Sequence, residues 1–361
     1  MSSKRRFLLM NKDIVVLIFS TVLEEFALNY KVEYIEKKFL VPRGLRNLRE
    51  WIEERYICIF QNGIHNFYEL TGISGIEELI EITNCISLKD TYWVKKDNSR
   101  KTWNSVSPYR NSLNEIVTEY SFTGKLMGKI TTGSPDFSTD GNFTKCWKRE
   151  YSGLYLYKAG SSGACNAGNE PYSEVYAYKI AAGLGIEIVK YELSSYAGRL
   201  ISKCKCLTNE NVGLVPYREL YGTNRCNFAE LLHSVDSTSK KQILDMLLLD
   251  YITCNTDRHY GNIGIFIEND TNRILGFAPL YDHNLSCLPY YMEDENLEFY
   301  ISDIRAKDGR TWEELYKLLE CDYTKEKLGR LLGVSFGIGE KRDDIINRMV
   351  EHQVKKALAG S

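Results

Sequence analysis

The sequence has 361 residues, 43% of them hydrophobic and 26% charged, an ordinary globular composition with room for one large or two modest domains. Forty-six basic residues against 48 acidic ones leave a formal net charge of -2, which excludes a global field directed at nucleic acid or a membrane surface. The apolar stretch "DIVVLIFSTVLEEFAL" from Asp13 is broken by Glu24 and Glu25 and is too short to span a bilayer. It reads as a core strand running into a turn or helix, and a cytoplasmic protein is expected.

Taken in chain order, "RFLLMNKDIVVLIF" and "YKVEYIEKKFLV" read as strands, and "LRNLREWIEERYI" places Leu45, Leu48, Trp51 and Ile52 on a helical face. Ser74 and Glu77 have capping-box spacing before a further helix. Residues 123–142 are rich in Gly, Ser, Thr and Asp, which predicts a loop. "GLYLYKAG", residues 153–160, is a predicted strand leading to Lys158, and "PYSEVYAYKIAAGLGI", 171–186, a helix that stops near Gly183 or Gly185. "IEIVKYEL" and "RLISKCKCL" follow as strands. "STSKKQILDMLLLDYITC" puts Ile243, Leu247, Tyr251 and Cys254 along one helical face, with Ser237 or Ser239 as N-cap. "RTWEELYKLLE" opens on a Thr311–Glu314 capping box, and "RDDIINRMVEHQVKKAL" is a closing helix. Strands first and helices later predict two lobes with a cleft between them.

The ten cysteines are scattered, and Cys204 and Cys206 form the one close pair. A C-x-C without a second pair is a weak zinc signal, so reduced thiols of a cytosolic protein are expected.

The chemistry concentrates in "YITCNTDRHYGNIGIF", residues 251–266, and "FAPLYDHN", 277–284. Asp257, Arg258, His259 and Asn262 crowd six positions between apolar runs, and Asp282 follows. Either these are buried structural groups bonded to one another, or they serve a metal ion and a phosphate. Taken singly, Asp and Asn in loops usually cap turns, and Lys158 is an ordinary strand-end lysine. Phosphoryl transfer from ATP needs a phosphate loop, a lysine, an acid that positions the acceptor hydroxyl, and oxygen ligands for Mg²⁺. Candidates occur in that order. "SPDFSTDGNFTK", 134–145, offers Gly141, Ser138, Thr139 and Lys145 for phosphate. Lys158 is the lysine, with Glu174 on the next helix to hold it. Asp257 is the acid, and Asn262 and Asp282 are the Mg²⁺ ligands. His259 is counted with the nucleotide site as an orienting group rather than the base. "IGIFIE", the turn "NDTNR" and "ILGFAPLYD" form a hairpin whose second strand ends at Asp282, returning it to the edge that holds Asn262.

These residues resemble the HipA-like serine/threonine kinases. "NTDRHYGNIGIF" and "LGFAPLYDHN" look like that family's catalytic and metal-binding segments. "YLYKAG" with "EPYSEVYAYKIAAGLGI" looks like its nucleotide-lysine strand and following helix. "SPDFSTDGNFTKCWKR" and "SLKDTYWVKKDNSRKTWNSV" are similar to segments of a bacterial subgroup, so the likeness covers about residues 87–290. The resemblance implies an α+β, bilobal protein-kinase-like fold. It implies an N-terminal accessory module over 1–115, a kinase N-lobe over 116–210 and a mostly helical C-lobe over 211–361. By strand order, the nucleotide hinge falls at Lys205 to Leu207.

The expected function is ATP- and Mg²⁺-dependent transfer to a protein Ser or Thr. A small DNA-binding, antitoxin-like regulator is a partner the resemblance suggests; direct nucleic-acid or membrane binding is not expected. Autophosphorylation has candidate acceptors in Ser121, Thr131, Thr132, Ser134, Ser138, Thr139 and Thr144. A kinase of small molecules or lipids on the same scaffold, and a non-catalytic nucleotide-binding regulator, are the alternatives.

Overall fold

The computed structural model describes residues 5–24, 27–55, 76–125, 144–222, 226–293, 295–319 and 321–359. Its strands are β1 (Arg5–Asn11), β2 (Ile14–Glu24), β3 (Ala27–Ile35), β4 (Tyr92–Lys96), β5 (Lys145–Glu150), β6 (Gly153–Ala159), β7 (Tyr191–Tyr196), β8 (Arg199–Lys205), β9 (Val212–Pro216), β10 (Gly264–Glu268) and β11 (Arg273–Phe277). The described residues fall into two compact units. One takes them from Met1–Tyr157, Lys205–Val215 and Ile265–Leu275; the other from Lys158–Cys204, Pro216–Gly264 and Gly276–Ser361.

The first unit is built on an antiparallel sheet of order β3-β2-β1-β4. "FLLM", residues 7–10, is apolar without interruption because both faces of β1 are covered. Phe7 and Leu9 bury against helices Leu48–Glu53 and Ile76–Thr83, while Leu8 and Met10 pack with Trp93 and Trp103. Fully burying each such side chain contributes roughly 1.5–3 kcal/mol. The Asp13 stretch is therefore strand β2, as read, and it continues into the hairpin partner β3 rather than into a helix. Asn11 ties this sheet to the β10–β11 turn: its Nδ2 donates to the Asn269 carbonyl at 2.6 Å, and Thr91 Oγ1 donates to its Oδ1 at 2.6 Å. Arg110 holds Glu210 through two bonds of 2.7 Å, and Tyr109 Oη reaches Thr208 Oγ1 at 3.1 Å, anchoring segment 205–215.

Helix Glu115–Thr123 covers the start of the predicted 123–142 loop and ends at Gly124, which takes φ +68°. Residues 126–143 lie outside the described residues.

The second unit is mostly helical. Helix Ser237–Thr253 runs through its middle and is buried on every side from Met246 onward, beyond the single face that the sequence indicated. Helices Glu170–Leu184, Trp312–Leu319, Asp322–Gly329 and Asp343–Ala359 pack on it. Tyr251 and Gln353 lock one contact reciprocally, Tyr251 Oη donating to the Gln353 carbonyl at 3.0 Å and Gln353 Nε2 to the Tyr251 carbonyl at 2.8 Å. The N-cap is Asp236, not Ser237 or Ser239: its carboxylate accepts from the Thr238 and Ser239 N–H groups at 2.9 and 3.0 Å. An anion there also suits the positive end of the helix dipole. The Thr311–Glu314 capping box forms as expected. Among the described residues no helix is long and apolar enough to cross a membrane.

Candidate active site

Helix Ser237–Thr253 stops because Cys254 turns left-handed (φ 51°), and its N–H folds back onto the last turn. The chain that follows is held from beneath by one buried arginine. Arg258 donates to both carboxylate oxygens of Asp250, at 2.9 and 3.1 Å, and its Nη2 also lies 2.8 Å from His283 Nε2. Its Nη1 bridges the carbonyls of Asn262 at 2.8 Å and Tyr281 at 3.2 Å. The backbone at Asn262 and that just before Asp282 thus converge on one guanidinium nitrogen. Removing either half of a buried pair like Arg258–Asp250 costs on the order of 3–5 kcal/mol, because the other charge is stranded.

Asn255 completes the support. Its Nδ2 donates to Asp250 Oδ1 at 2.7 Å, and its Oδ1 accepts the Asp257 N–H at 3.1 Å. Asp257 is left half-buried, with Lys307 Nζ at 2.7 Å from Oδ1 and His259 Nε2 at 4.0 Å from Oδ2. The other nitrogen of His259, Nδ1, accepts from the Gly261 N–H at 3.0 Å, which fixes the ring. Burial first, with Lys307 and Arg218 adding to it, outweighs Asp257 and lowers the His259 pKa. A short 3-10 turn, Tyr260–Asn262, then aligns Asn262, whose Nδ2 donates to the Asp257 carbonyl at 3.2 Å.

A second cluster gathers around Lys158, which is buried at the end of β6. Its Nζ contacts Glu174 Oε1 and donates to Asp282 Oδ1 at 2.5 Å, and it lies 5.5 Å from the centre of the Tyr191 ring. Glu174 is fully buried on helix Glu170–Leu184, and its other oxygen accepts the His283 N–H at 2.9 Å. Burial works against charge on Lys158, but the Asp282 and Glu174 carboxylates more than offset it and hold the ammonium above its ordinary pKa. Gly160 is required two residues on: a Cβ there would sit 2.7 Å from the Gly168 backbone and 2.6 Å from Glu170 Oε2.

The route to Asp282 differs from the hairpin expected. β11 ends at Phe277, and residues 278–282 run on without it. They are fastened instead by a parallel bridge between Ile188 and Leu280, and by the Val189 N–H on the Leu280 carbonyl at 2.8 Å. That bridge occupies the first half of "IEIVKYEL", so β7 starts only at Tyr191. Asp282 itself takes φ +60°, a costly conformation for a residue with a Cβ.

Lys158, Glu174, Asp257, His259, Asn262 and Asp282 all lie in the second unit. Lys205, the last residue of β8, and Leu207 lie in the first, where the intervening Cys206 N–H donates to the Leu154 carbonyl at 2.8 Å. Lys145 also lies there and opens strand β5 rather than closing a loop. Ser138, Thr139 and Gly141 lie outside the described residues.

Asn262 and Asp282 suit a hard cation that keeps other ligands from phosphate or water: each offers a side-chain oxygen, and the Asn262 amide nitrogen is already turned to Asp257. Among the described residues no cluster of three His, Cys, Asp or Glu side chains forms a closed protein cage, and the Cys204–Cys206 pair gathers no such set.

No family pattern matches the chain. The serine/threonine-protein kinase CtkA of Helicobacter pylori (strain J99) is 25% identical over 173 residues, 44% of this chain and 53% of the relative. The chain therefore spans about half the length of the curated relative it matches. The crystal structure of an H. pylori proinflammatory kinase CtkA aligns with 62% of this chain and 94% of its own at 16% identity, with a TM-score of 0.47, too low to argue from. A chain of the Shewanella oneidensis MR-1 toxin–antitoxin complex of HipA, HipB and operator DNA aligns over 98% of this chain and 96% of its own, with TM-score 0.54 and 13% identity.

The chain shares the fold of HipA. Its resemblance to the HipA-like kinases, carried in sequence by 251–284, holds at the level of fold and of the CtkA relationship. The mixed α/β build with antiparallel sheets agrees with the fold class expected.

Sequence reasoning missed four side chains of this cluster: Asp250, Arg258 as its hub, Tyr191 and Lys307. Asp250 left a signal, a lone acid in the apolar run "MLLLDYITC". Lys307, in the polar turn "AKDGR", left none.

Proposed function

We propose that this chain is an ATP- and Mg²⁺-dependent kinase that phosphorylates a serine or threonine hydroxyl of a protein. The observation that carries the reading is the buried Lys158 ammonium shared between Glu174 and Asp282, residues 16 and 124 positions away. A lysine buried at the cost of two carboxylates is poor economy for stability alone. It is well placed to meet nucleotide phosphates once Asp282 turns to a cation. The 25% identity to a serine/threonine kinase supports the choice of acceptor.

In this reading Asp257 orients the acceptor hydroxyl and takes its proton, while Asn255 and Arg258 keep Asp257 on its loop. Lys158 neutralises ATP phosphate charge and Glu174 fixes its direction. Asn262 and Asp282 would hold Mg²⁺, which would supply positive charge to neutralise the phosphates. Ser138, Thr139, Gly141 and Lys145 would cradle phosphate, Lys205 and Leu207 would flank the adenine, and His259 would orient the loop. The lobes would be 116–210 and 211–361, with 1–115 as an accessory module. The neighbouring fold was solved with HipB and operator DNA; a small DNA-binding regulator of this chain, in the cytoplasm, is proposed by analogy. Phosphorylation of a hydroxyl within 121–144 would add charge where ATP phosphate sits and should inhibit.

The test is transfer of label from γ-labelled ATP to a degenerate Ser/Thr peptide mixture. Incorporation that requires Mg²⁺ supports the reading, and label found only on small-molecule or lipid acceptors would refute it. Asp282→Ala should weaken Mg²⁺-dependent nucleotide binding by about 10- to 100-fold, the scale on which groups around a metal site act. Calorimetry giving equal affinities for variant and wild type would remove Asp282 from the metal site.

A further inference from the structure

We propose that Lys307 is a catalytic residue: its ammonium group, which rests on the Asp257 carboxylate, moves onto the γ-phosphoryl group of bound ATP and stabilises its charge during transfer. This rests on the kinase reading above and supplies a part that reading lacks.

The argument starts from where charge is already committed. Lys158 is held between two carboxylates, so its positive charge is compensated before any substrate arrives. His259 makes no hydrogen bond to the Asp257 carboxylate, standing 4.0 Å from it with its other nitrogen taken by Gly261. Among the described residues, Lys307 is the lysine or arginine paired with Asp257, at 2.7 Å.

The way Lys307 is mounted fits a moving part on a fixed base. Residues 306–310 form a closed turn, with the Ala306 N–H on the Arg310 carbonyl at 3.0 Å and the Gly309 N–H on the Ala306 carbonyl at 2.9 Å. Asp308 is buried beneath it and paired with Arg310. The Lys307 side chain, by contrast, is 49% exposed, and its four-carbon stem is free to rotate.

An acceptor hydroxyl held by Asp257 must lie next to the γ-phosphorus. An ammonium 2.7 Å from that carboxylate is then one side-chain rotation from the equatorial phosphoryl oxygens. In the transfer, the bond from the γ-phosphorus to the bridging oxygen breaks, and its electron pair leaves with ADP. A bond from the acceptor oxygen to phosphorus forms, and the hydroxyl proton passes to Asp257. Lys307 keeps its proton throughout.

The same ion pair could instead be a plug that blocks Asp257, and the two roles predict opposite rates. With Mg²⁺·ATP and the degenerate Ser/Thr peptide mixture, Lys307→Met should lower kcat on the order of 10²–10³-fold, the effect of losing one transition-state charge donor. Its KM for ATP should stay near the wild-type value, and Lys307→Arg should recover part of the rate. Because the side chain is half exposed, both variants should keep the wild-type melting temperature. A Lys307→Met kcat equal to or above the wild type, with wild-type turnover intact, overturns the proposal alone and favours the plug. A wild type that releases no ADP and labels no peptide overturns the kinase reading, and this proposal with it.

Discussion

Asp257→Asn should lower phosphoryl transfer by about 10²–10⁴-fold, the range for a positioned acid–base group, while the protein melts at the wild-type temperature. Asparagine keeps the shape and the backbone bonds of residue 257, whose N–H is held by Asn255 and whose carbonyl accepts from Asn262. What it loses is the anion proposed to receive the hydroxyl proton, and the ion pair to Lys307. The lost pair is partly exposed, so its loss should cost little stability. Peptide labelling by the purified variant measures the first effect and calorimetric melting the second. Transfer within a few-fold of the wild type would move the acid elsewhere.

Lys158→Met should do more damage, to stability and to binding together. The methionine fills the stem's volume but leaves Glu174 fully buried, and Asp282 beside it, without their cation. Breaking a buried ion pair from one side costs on the order of 3–5 kcal/mol. Nucleotide binding should fall below detection at the same time, since the group proposed to meet the phosphates is gone. Adding Glu174→Gln removes the stranded carboxylate and should restore much of the stability without restoring nucleotide binding. Denaturant unfolding and nucleotide titration of the single and double variants separate the two effects. If the double variant is no more stable than the single one, the ion pair does not govern this part of the fold.

Much of this arrangement was legible because local rules and the global fold agree. The helix stop at Gly185, the Thr311 capping box and the strand ending near Lys158 each follow from residue chemistry acting over a few positions. The joint order of Lys158, Glu174, Asp257, Asn262 and Asp282 carried the resemblance, although no one of them was informative alone. What could not be read depends on contacts distant in sequence. The expected hairpin forms, but its second strand stops at Phe277 short of Asp282, because Leu280 pairs with residues 187–189 instead of with β10. Asp236 takes the cap from its serine neighbours because the helix begins one residue earlier in space than the polar run suggests. Lys307 reaches Asp257 across 50 residues, and nothing in a lysine-bearing turn announces such a partner.

The central claim is that the residues around Lys158 and Asp282 form a Mg²⁺·ATP site. Isothermal titration of the wild-type protein with ATP, in the presence of Mg²⁺ and again with the cation chelated, tests it most directly. The account predicts saturable binding to one site that weakens sharply without Mg²⁺ and vanishes in Lys158→Met. No heat of binding in any condition from a folded wild-type protein would contradict it, and the Lys158–Glu174–Asp282 cluster would then be a buried structural knot.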